Sequence, residues 1–522
     1  MQAESAQAAI EVRNPATQET VGIAPIFSAQ EISVAVDRAR TAQERWATTD
    51  VSNRLKLIRR FQQLLCEQKE SVAAVITREA GKPLAEALST EILVVLDAAQ
   101  FLLNHAAEFL RPKPVLHSNP VMKLKKGTLL REPYGVIGII SPWNYPFSLP
   151  AVQTLTALVL GNAVVLKPSE FTPFSSLELQ RLLREAGLHH DLMQVVTGEG
   201  AAGSALLQAN IGKMVFTGSV ATGKKVAQAA AARLLPVVLE LGGKDPMIVL
   251  EDADVNVASS AAVWGAFMNS GQTCLSVERC YVHESIYQQF LDACVAKTAK
   301  LKQGPGSNGG SDIGPMIHQR QLQTVQRHIR DAVARGAILL AGGKPAAQLG
   351  PNFFEPTILA NVSHEMDLMR EETFGPVLPV QSFSTEDEAM ALANDSEFGL
   401  AASVWTRNKK RGQAVARRIH AGTVMVNDVV ACFGISEAPH GGVKASGIGR
   451  THGLFGLEEM VWPKYVDSDR LPGMKKLWWY GYGPGFQQQM NGFVELLFSK
   501  NLIKRMHGAA KSIQSYLQRK PL

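Results

Sequence analysis

The sequence predicts an α/β protein built on a parallel sheet, and two observations lead to this fold class. Short apolar runs rich in β-branched residues recur along the chain, at 136–140, 163–167, 194–197, 214–217 and 237–240. Segments with apolar residues at helical spacing separate these runs. Continuous apolar strands that alternate with helices are typical of a parallel sheet that is covered on both faces.

The flanking segments predict further elements. Residues 31–110 predict long helices, and segment 53–81 combines helical periodicity with a terminal glycine. Residues 120–135 alternate around a Lys-Gly pair, which favours a β-hairpin. A second α/β run follows, with strands expected near 246–250, 279–282, 376–382, 402–406 and 422–427.

Length and composition restrict the class of protein. A chain of 522 residues predicts two or three domains, and 46% hydrophobic with 19% charged residues is typical of a soluble globular protein. The first residues lack the pattern of a signal peptide, and no apolar run approaches the ~18 to 20 residues that span a bilayer. Five cysteines without a CxxC pair argue against a disulfide framework, so we expect a cytoplasmic location.

The positive charge is concentrated at the C-terminal end. Residues 471–522 contain eight Lys or Arg residues and one acidic residue, Glu495, so this segment carries +7 and the body −1. The overall charge of +6 therefore belongs to this segment and says nothing about the main site. Nucleic acid is not an expected partner.

Polar groups follow four of the predicted strands. They are Ser141–Asn144, Lys167–Glu170, Thr217–Ser219 and Glu240. Ligands of parallel sheets bind beyond the carboxyl ends of the strands. These groups therefore predict a binding site at one edge of the sheet.

Two glycine-rich segments need separate interpretation. The segment "GSVATGKK" (218–225) nearly matches the phosphate-loop pattern, but Lys225 lacks the hydroxyl group that holds Mg²⁺, which disfavours a nucleotide triphosphatase. A strand–Gly–Ser–helix start can still hold a phosphate, or it can be a tight turn only. The segment "GPGSNG" (304–309) follows a Lys-rich helix and is interpreted as a surface loop.

The five cysteines differ in their surroundings. Cys66 and Cys294 lie in helix-periodic segments and Cys280 in a predicted strand, so we expect all three to be packing residues. Cys432 lies in an irregular segment with no evident role. Cys274 precedes a polar turn in which a sulfur could face a ligand, although the local sequence alone favours a buried structural cysteine. The sequence contains neither HExxH nor paired Cys/His spacing, so we expect no metal site.

Seven motifs occur in this chain in order. They are "SPWNYPF" (141–147), "LKPSE" (166–170), "FTGSVATG" (216–223), "LELGGKDP" (239–246), "GQTC" (271–274), "EETFGPV" (371–377) and "PHGGVKASGIGR" (439–450). Together they resemble the NAD(P)-dependent aldehyde dehydrogenase superfamily, over about residues 10–470.

The resemblance implies a Rossmann-type cofactor domain, an α/β catalytic domain and a small β oligomerisation element, in a homodimer or homotetramer. The cofactor domain would comprise 1–114 and 134–242, and the catalytic domain 243–445. The oligomerisation element would comprise 115–133 and 446–470. Residues 471–522 lie outside the family pattern and form a basic, amphipathic extension.

The resemblance also implies the catalytic residues. Cys274 matches the nucleophile, whose attack on an aldehyde makes a thiohemiacetal that can expel hydride. The Asn144 side-chain amide and the Cys274 backbone N–H match the oxyanion donors, although Asn144 could otherwise hold a turn before Pro146. Glu240 matches the general base that hydrolyses the thioester. Coenzyme A-acylating relatives typically lack this base, so we expect a free carboxylic acid as product.

The cofactor-binding residues follow from the same motifs. Lys167 and Glu170 match contacts to the adenosine ribose, and the Glu170 carboxylate favours NAD, with NADP as an alternative. Glu372 and Phe374 match positions beside the nicotinamide ribose. The pyrophosphate contacts match Ser219 and the backbone of Gly218–Gly223. The predicted set is completed by Ser141, Trp143, Leu241 and Gly242.

The substrate is expected to be an apolar aliphatic or aromatic aldehyde. The loop 429–438 matches the segment that contacts the far end of the substrate, and it contains no Arg or Lys to bind a carboxylate. Trp143 and Phe267 add apolar surface in motif order. A semialdehyde dehydrogenase, or a catalytically silent scaffold, remains the alternative. In the last motif His440 stands where the family usually has Phe, and a lone His is more often structural than catalytic.

The C-terminal extension predicts an amphipathic helix. Lys, Trp and Tyr cluster at 475–486, and apolar residues follow at helical spacing through Met506, Ala510, Ile513 and Leu517. This pattern is compatible with a peripheral position at the inner face of a membrane. Packing of the same apolar stripe within the oligomer of the enzyme is the alternative.

Overall fold

The computed structural model describes residues 8–476 and 478–518. In this range the strands are β1 (Ala9–Arg13), β2 (Thr20–Pro25), β3 (Lys113–Val115), β4 (Lys125–Pro133), β5 (Val136–Ile140), β6 (Ala163–Lys167), β7 (Met193–Val195), β8 (Lys213–Thr217), β9 (Val237–Glu240), β10 (Asp245–Val249), β11 (Val277–His283), β12 (Ile338–Ala341), β13 (Thr357–Ala360), β14 (Val377–Phe383), β15 (Ala401–Trp405), β16 (Thr423–Val426), β17 (Gly447–Ile448) and β18 (Val461–Asp469).

The helices alternate with these strands over most of the chain. They are α1 (Ala29–Ala47), α2 (Val51–Glu67), α3 (Lys69–Ala80), α4 (Leu84–Glu86), α5 (Leu93–Leu110), α6 (Ser148–Val159), α7 (Pro173–Glu185), α8 (Gly200–Gln208), α9 (Val220–Ala231), α10 (Val255–Phe267), α11 (Tyr287–Thr298), α12 (Gln319–Ala334), α13 (Asp367–Arg370), α14 (Glu386–Asn394), α15 (Lys409–Ala416), α16 (Gly453–Glu459), α17 (Pro484–Phe498) and α18 (Leu502–Gln518).

A six-stranded sheet has the order β17-β9-β8-β5-β6-β7. Strands β5 to β9 pair in parallel, as their continuous apolar sequences predict, and only the short β17 is antiparallel. The register pairs Ile140 with Lys167 and Thr217 with Glu240. The polar residues that end these strands therefore lie along one edge of the sheet.

A seven-stranded sheet has the order β12-β13-β14-β11-β10-β15-β16. Its strands are parallel except β12, which pairs antiparallel with β13. The chain passes from the first sheet to this one at Gly242–Lys244, directly after Glu240. Helices bury both faces of the sheet, and Cys280 of β11 and Cys294 of α11 are buried in this core, as predicted.

Three local predictions need correction. The expected hairpin at 120–135 is wrong: β4 is one continuous strand that pairs with β3, and Gly127 lies inside it. A side chain at Gly127 would collide with the Tyr465 hydroxyl oxygen, at 2.6 Å, so this glycine allows close packing rather than a turn. The helix predicted over 53–81 is interrupted at Gln68, and Cys66 is exposed rather than packed.

The chain divides into two compact units. One contains the described residues up to Arg111 together with Arg131–Pro463, and includes both large sheets. The other contains Pro112–Leu130 and the chain from Lys464 onward. In this second unit α17 and α18 form a helical hairpin, which we call the C-terminal hairpin. The predicted extension thus contains two helices, and the side chain of Leu517 and residues 519–522 lie outside the described residues.

Candidate active site

Cys274 follows a tightly constrained loop between α10 and β11. Asn269, Ser270 and Gly271 have φ values of 50°, 58° and 70°, in the left-handed region that favours glycine. Hydrogen bonds hold this conformation, since Ser270 Oγ donates to the Gly314 carbonyl at 2.7 Å and the Asn269 N–H donates to the Glu86 carboxylate at 3.1 Å. Such local strain persists only where the surrounding structure fixes it, and it is characteristic of functional sites.

Asn144 lies against the same loop, in the segment that follows β5. Its side-chain Nδ2 donates to the Gln272 carbonyl at 3.0 Å, and its own carbonyl accepts from Asn269 Nδ2 at 2.9 Å. Asn144 is buried. These bonds hold its amide next to the segment that carries Cys274.

Glu240 ends β9 and is buried between Leu239 and Leu241. Burial raises the pKa of its carboxyl group to about 8, and nearby Arg450 only partly offsets this effect. Thr451 Oγ1 donates to Oε1 at 3.4 Å, whereas Oε2 has no hydrogen-bond partner in the structure.

A cavity of about 260 Å³, which we call the Cys274 cleft, brings most of the predicted site residues together. Its lining includes the three predicted catalytic residues and seven of the predicted cofactor-binding residues: Trp143, Gly218, Ser219, Leu241, Gly242, Glu372 and Phe374. Gln321 and Thr324 of α12 also line the cleft, and no motif in the sequence indicated them.

Ser141, Lys167, Glu170 and Gly223 lie outside the lining of this cleft. Lys167 Nζ and Glu170 Oε2 are 3.6 Å apart after β6, at the same sheet edge. The Ser141 N–H donates to the Lys167 carbonyl at 3.1 Å. A side chain on Gly223 would collide with Leu241, at 2.4 Å, so Gly223 allows α9 to pack closely against that residue.

The N-terminus of α9 opens into the Cys274 cleft. Ser219 caps this helix by accepting from the Thr222 N–H, and Gly218 connects it to β8. Backbone N–H groups and the helix dipole at such a terminus favour an anion. Together with the Glu170 and Glu372 carboxylates, which can accept from ribose hydroxyls, this arrangement fits a dinucleotide.

Glu372 and Phe374 form another part of the lining of the Cys274 cleft. Glu372 Oε1 accepts from the Gly243 N–H at 3.0 Å, and burial raises the pKa of this carboxyl group to about 8. Phe374 has a φ of 51° and meets the Trp143 ring edge-on at 5.5 Å. Trp143 and Phe374 therefore pack against each other in the lining of the cleft.

The Cys274 thiol has its pKa raised well above the ordinary value. Burial is the largest cause, and the carboxyl groups of Glu372, Asp245 and Glu240 add to it. Burial and these carboxyl groups therefore favour the protonated thiol over the thiolate.

The loop 429–438 contributes apolar surface near Cys274. Val429, Val430 and Cys432 are buried in one hydrophobic cluster with which Cys274 and Phe433 also pack. Phe267 is 1% exposed and belongs to the same core, so it supports the site rather than lining an open surface.

Sequence reasoning missed a second, smaller cavity behind Glu240. It is lined by Cys274, Glu240, Gln153, Phe433, His440 and His452, among others, and we call it the back cavity. Its polar residues come from segments about 290 residues apart, between Gln153 and His440, so no single motif could indicate it. The unusual His440 was the only signal in the sequence.

A group that could ligate a metal occurs among the described residues at His189, His190 and Asp191. It lies at the surface, and Asp191 already pairs with Arg38 at 2.6 Å. Within the described part of the chain, every helix is too short or too polar to cross a membrane.

Comparison with known proteins identifies relatives over nearly the whole chain. The aldehyde dehydrogenase family model matches residues 1–466. The chain is 38% identical over 507 residues to 4,4'-diapolycopene aldehyde oxidase of Methylomonas sp., which covers 96% of this chain and 94% of that protein.

Solved structures share the fold. An NAD-dependent aldehyde dehydrogenase from Sinorhizobium meliloti matches with a TM-score of 0.87 at 37% identity, covering 91% of this chain and 93% of that one. A succinate-semialdehyde dehydrogenase from Burkholderia pseudomallei matches with a TM-score of 0.84 at 37% identity, covering 88% of this chain and 95% of that one.

These matches confirm the resemblance, the α/β fold class and NAD as the expected cofactor, with NADP as an alternative. They also confirm the prediction of an enzyme. The chain belongs to the aldehyde dehydrogenase family and is an NAD-dependent aldehyde dehydrogenase.

Proposed function

We propose that this enzyme oxidises an apolar aldehyde to the carboxylic acid through a thiohemiacetal and a thioester on Cys274. The observation that carries the proposal is the convergence of Cys274, Glu240 and Asn144 on one cleft with Glu372 and the start of α9. A catalytically silent scaffold would have no need of this arrangement.

In the first half-reaction the Cys274 thiol loses its proton to solvent water, and the thiolate attacks the carbonyl carbon and forms a C–S bond while the C=O π bond opens to an oxyanion. The Asn144 amide and the Cys274 backbone N–H stabilise the resulting oxyanion by hydrogen bonding. Bound NAD supplies the hydride acceptor. Collapse of the oxyanion expels hydride and leaves an acyl group attached to the sulfur as a thioester.

In the second half-reaction water attacks the thioester carbon. Glu240 in its ionised form accepts a proton from this water, and the C–S bond then breaks to give the carboxylic acid and free Cys274. A raised pKa makes the Glu240 carboxylate a stronger base than an exposed glutamate. Hydrolysis by water agrees with a free acid as the product.

The apolar substrate class is supported by the walls beside Cys274. Val429 and Val430 belong to the buried apolar cluster against which Cys274 and Phe433 pack, and loop 429–438 offers no cationic side chain. The name of the relative in Methylomonas, 4,4'-diapolycopene aldehyde oxidase, points in the same direction. A semialdehyde dehydrogenase is the second candidate, since a related structure from Burkholderia pseudomallei carries that activity in its name.

The test compares wild type with Cys274→Ala over a panel of aldehydes. We expect wild type to form NADH and one equivalent of acid, with kcat/KM rising with hydrocarbon length, and Cys274→Ala to form neither. Succinate semialdehyde in the panel separates the two candidates. A higher kcat/KM for succinate semialdehyde than for neutral aldehydes of similar size would contradict the apolar assignment.

We further propose that the C-terminal hairpin contacts an anionic lipid surface at the inner face of the membrane. Its two helices meet through small residues, because a side chain on Gly492 would lie 2.6 Å from the Gly508 carbonyl and 2.4 Å from Ser512 Oγ. Ser512 Oγ also donates to the Gln489 carbonyl at 3.1 Å. Small residues at this interface let the backbones of the two helices approach closely.

Apolar side chains of the C-terminal hairpin point outward instead. Phe498 is 75% exposed and Met506 68%, and Val494, Leu502, Ile503 and Ile513 are similarly exposed. Exposed Lys500, Lys504 and Lys511 lie among them. A surface that combines large apolar groups with positive charge matches an anionic bilayer interface.

The Methylomonas relative shares this part of the chain. An alignment that covers 96% of 522 residues leaves out only about 21 residues, so it must extend beyond residue 470. The 88% covered by the Burkholderia pseudomallei structure imposes no such extension. A long apolar aldehyde dissolves in a bilayer, which makes a lipid-binding segment useful to an enzyme that oxidises it.

Vesicle co-sedimentation tests the lipid contact. Wild type should pellet with anionic vesicles at low salt and less with zwitterionic vesicles, whereas the double variant Phe498→Asp, Met506→Asp should remain in the supernatant. Light scattering measures the oligomer, which we propose to be a homodimer or homotetramer. Two results together would contradict the lipid contact: wild type does not bind vesicles, and the double variant dissociates into smaller species. They would instead show that this surface packs within the oligomer.

A further inference from the structure

The back cavity contains an unusual number of buried polar atoms without partners. Glu240 Oε2, His440 Nδ1, His452 Nε2 and Gln153 Oε1 are all buried and make no hydrogen bond in the structure. All four residues line this one cavity, together with Cys274. Buried polar atoms are nearly always hydrogen-bonded, because an unpaired one destabilises the fold, so four in one cavity indicate a bound polar ligand.

The size of the back cavity identifies that ligand. Its volume is about 20 Å³, which is room for about one water molecule. A water molecule in a protein interior needs two to four polar partners, and the cavity supplies that number. His440 Nε2 lies 3.8 Å from Glu240 Oε2, which is beyond direct hydrogen-bond distance, so the His440 ring and the Glu240 carboxyl group face the same cavity without a bond between them.

The histidines are held in place around Glu240. The His440 backbone exchanges two hydrogen bonds with Thr451, at 2.7 and 2.8 Å, and Thr451 is also the residue that donates to Glu240. His452 Nδ1 lies 3.1 Å from Thr451 Oγ1. The Phe433 ring meets both imidazoles edge-on, at 5.1 and 4.5 Å. These contacts fix the two rings beside the unpartnered carboxylate oxygen.

We propose that His440 is a positioning residue for Glu240, which with His452 and Gln153 holds one water molecule against Glu240 Oε2. The bridged carboxylate is thereby oriented for hydrolysis of the thioester. This inference rests on the proposed function, because it assigns Glu240 to the second half-reaction. His440 acts through Glu240 and is not itself a group that touches the substrate.

The charges around the pair decide which forms are present. Burial lowers the pKa of His440 to about 3 and that of His452 to about 4, so both imidazoles are neutral near pH 7. Arg450 faces both Glu240 and His440, while Glu459 faces Glu240 and Asp97 faces His452. A neutral imidazole can donate one hydrogen bond and accept another, which suits a bridge to a carboxylate.

The test measures the two half-reactions separately in the variant His440→Phe. This substitution removes both ring nitrogens and keeps a side chain of similar size. The burst of NADH from the first half-reaction should keep its amplitude and rate. Steady-state acid release should fall about tenfold, a small part of the 10²–10⁴ that acid–base catalysis contributes. Loss of the bridge disfavours the carboxylate, so the midpoint at which hydrolysis rises with pH should move to higher pH.

Two further variants keep the test decisive. His440→Gln restores a donor and an acceptor and should recover acid release to within about threefold of wild type. Gln153→Leu should show the same separation of burst from steady state, whether or not His440→Phe folds. Wild-type kinetics in these variants, or equal losses in burst and steady state, would overturn the proposal. Failure of the proposed function would look different, because wild type itself would show no burst.

Discussion

Glu240 and Cys274 line one cleft, and the Glu240 carboxyl group makes ionisation of the Cys274 thiol harder. The Glu240 carboxyl group is one cause of the raised pKa of the Cys274 thiol, and burial raises the pKa of both groups. In the proposed mechanism the thiolate is needed first and the carboxylate second. Ionisation of Cys274 and ionisation of Glu240 are therefore needed in different half-reactions. Kinetics that resolve the two half-reactions can measure each requirement separately.

Replacement of Glu240 by Gln should block the second half-reaction only. We expect a burst of about one NADH per active site, followed by acid release at least about 10²-fold slower than in wild type, because the water has lost its base. Stopped-flow absorbance measures the burst, and Cys274→Ala is the control that abolishes it. Acid release at the wild-type rate would exclude Glu240 as the base.

The pH dependence of hydrolysis follows from the same residue. The working form of Glu240 is the carboxylate, and burial raises its pKa to about 8. The rate constant for thioester hydrolysis should therefore rise with pH, reach half its maximum near pH 8 and level off above it. A half-maximum near pH 4.5, the ordinary value of a glutamate, would show that another group governs this step.

Glu170 offers a test of cofactor preference at a single residue. Its carboxylate is 35% exposed, so its repulsion of a 2′-phosphate is screened and amounts to about 1 kcal/mol. Glu170→Gln should raise the ratio of kcat/KM for NADP to that for NAD about fivefold. Glu185→Gln removes a similarly exposed carboxylate that pairs with Arg181, and it should leave the ratio unchanged.

At the scale of elements, the crossing from β9 to β10 connects the two large sheets. Gly242 and Gly243 make this crossing between Glu240 and Lys244. A side chain on Gly243 would lie 2.3 Å from the Cys274 carbonyl oxygen, which belongs to the backbone. A side chain on Gly242 would meet the end of the Glu372 side chain, at 2.4 Å, which can move. The first contact cannot be relieved without displacing the nucleophile.

Gly243→Ala should therefore lower kcat at least about 10²-fold, because small displacements of reacting groups have large effects on rate. Gly242→Ala should affect chiefly KM for the cofactor. Gly200→Ala is the matched control, since nothing lies within 4 Å of its added carbon, and it should retain wild-type kinetics. Steady-state kinetics with thermal unfolding distinguishes a displaced site from a destabilised fold.

The elements also show what sequence can predict. Strands β5, β6 and β9 were predicted at their observed bounds, because continuous apolar runs have one stable environment, the centre of a parallel sheet. The prediction of a hairpin over 120–135 was wrong because a glycine within an alternating run fits both a turn and a close contact. Only the distant Tyr465 decides between them.

The candidate site likewise contains residues that the sequence predicts and residues that it does not. Cys274, Glu240 and Asn144 lie in local motifs, and the structure brings them to one cleft. Gln153, His440 and His452 come together only through tertiary folding, and none carries a motif that marks it as a partner of Glu240. Exposure of Cys66 was likewise unpredictable, since helical spacing does not fix which face of a helix is buried.

In the whole molecule, the proposed preference for an apolar aldehyde and the proposed lipid contact of the C-terminal hairpin belong together. The apolar loop 429–438 beside Cys274 favours an apolar aldehyde, and the C-terminal hairpin presents apolar and basic side chains outward. If the substrate dissolves in lipid, its concentration near a membrane-bound enzyme exceeds that in water. The benefit of lipid binding should therefore depend on the substrate and vanish for aldehydes that stay in water.

Gly492→Leu tests this coupling, because a large side chain cannot fit 2.6 Å from the Gly508 carbonyl and must separate α17 from α18. We expect unchanged kcat/KM for a short aldehyde in water, and at least about a tenfold loss for a long-chain aldehyde presented in anionic vesicles. Gly485→Leu is the matched control, since nothing lies within 4 Å of an added side-chain carbon there. Equal losses for both aldehydes would mean that the hairpin stabilises the enzyme and does not deliver substrate. Wild-type rates for both would separate the C-terminal hairpin from catalysis altogether. Only a loss that is confined to the aldehyde in vesicles would support the proposal that the C-terminal hairpin delivers an apolar substrate to the active site.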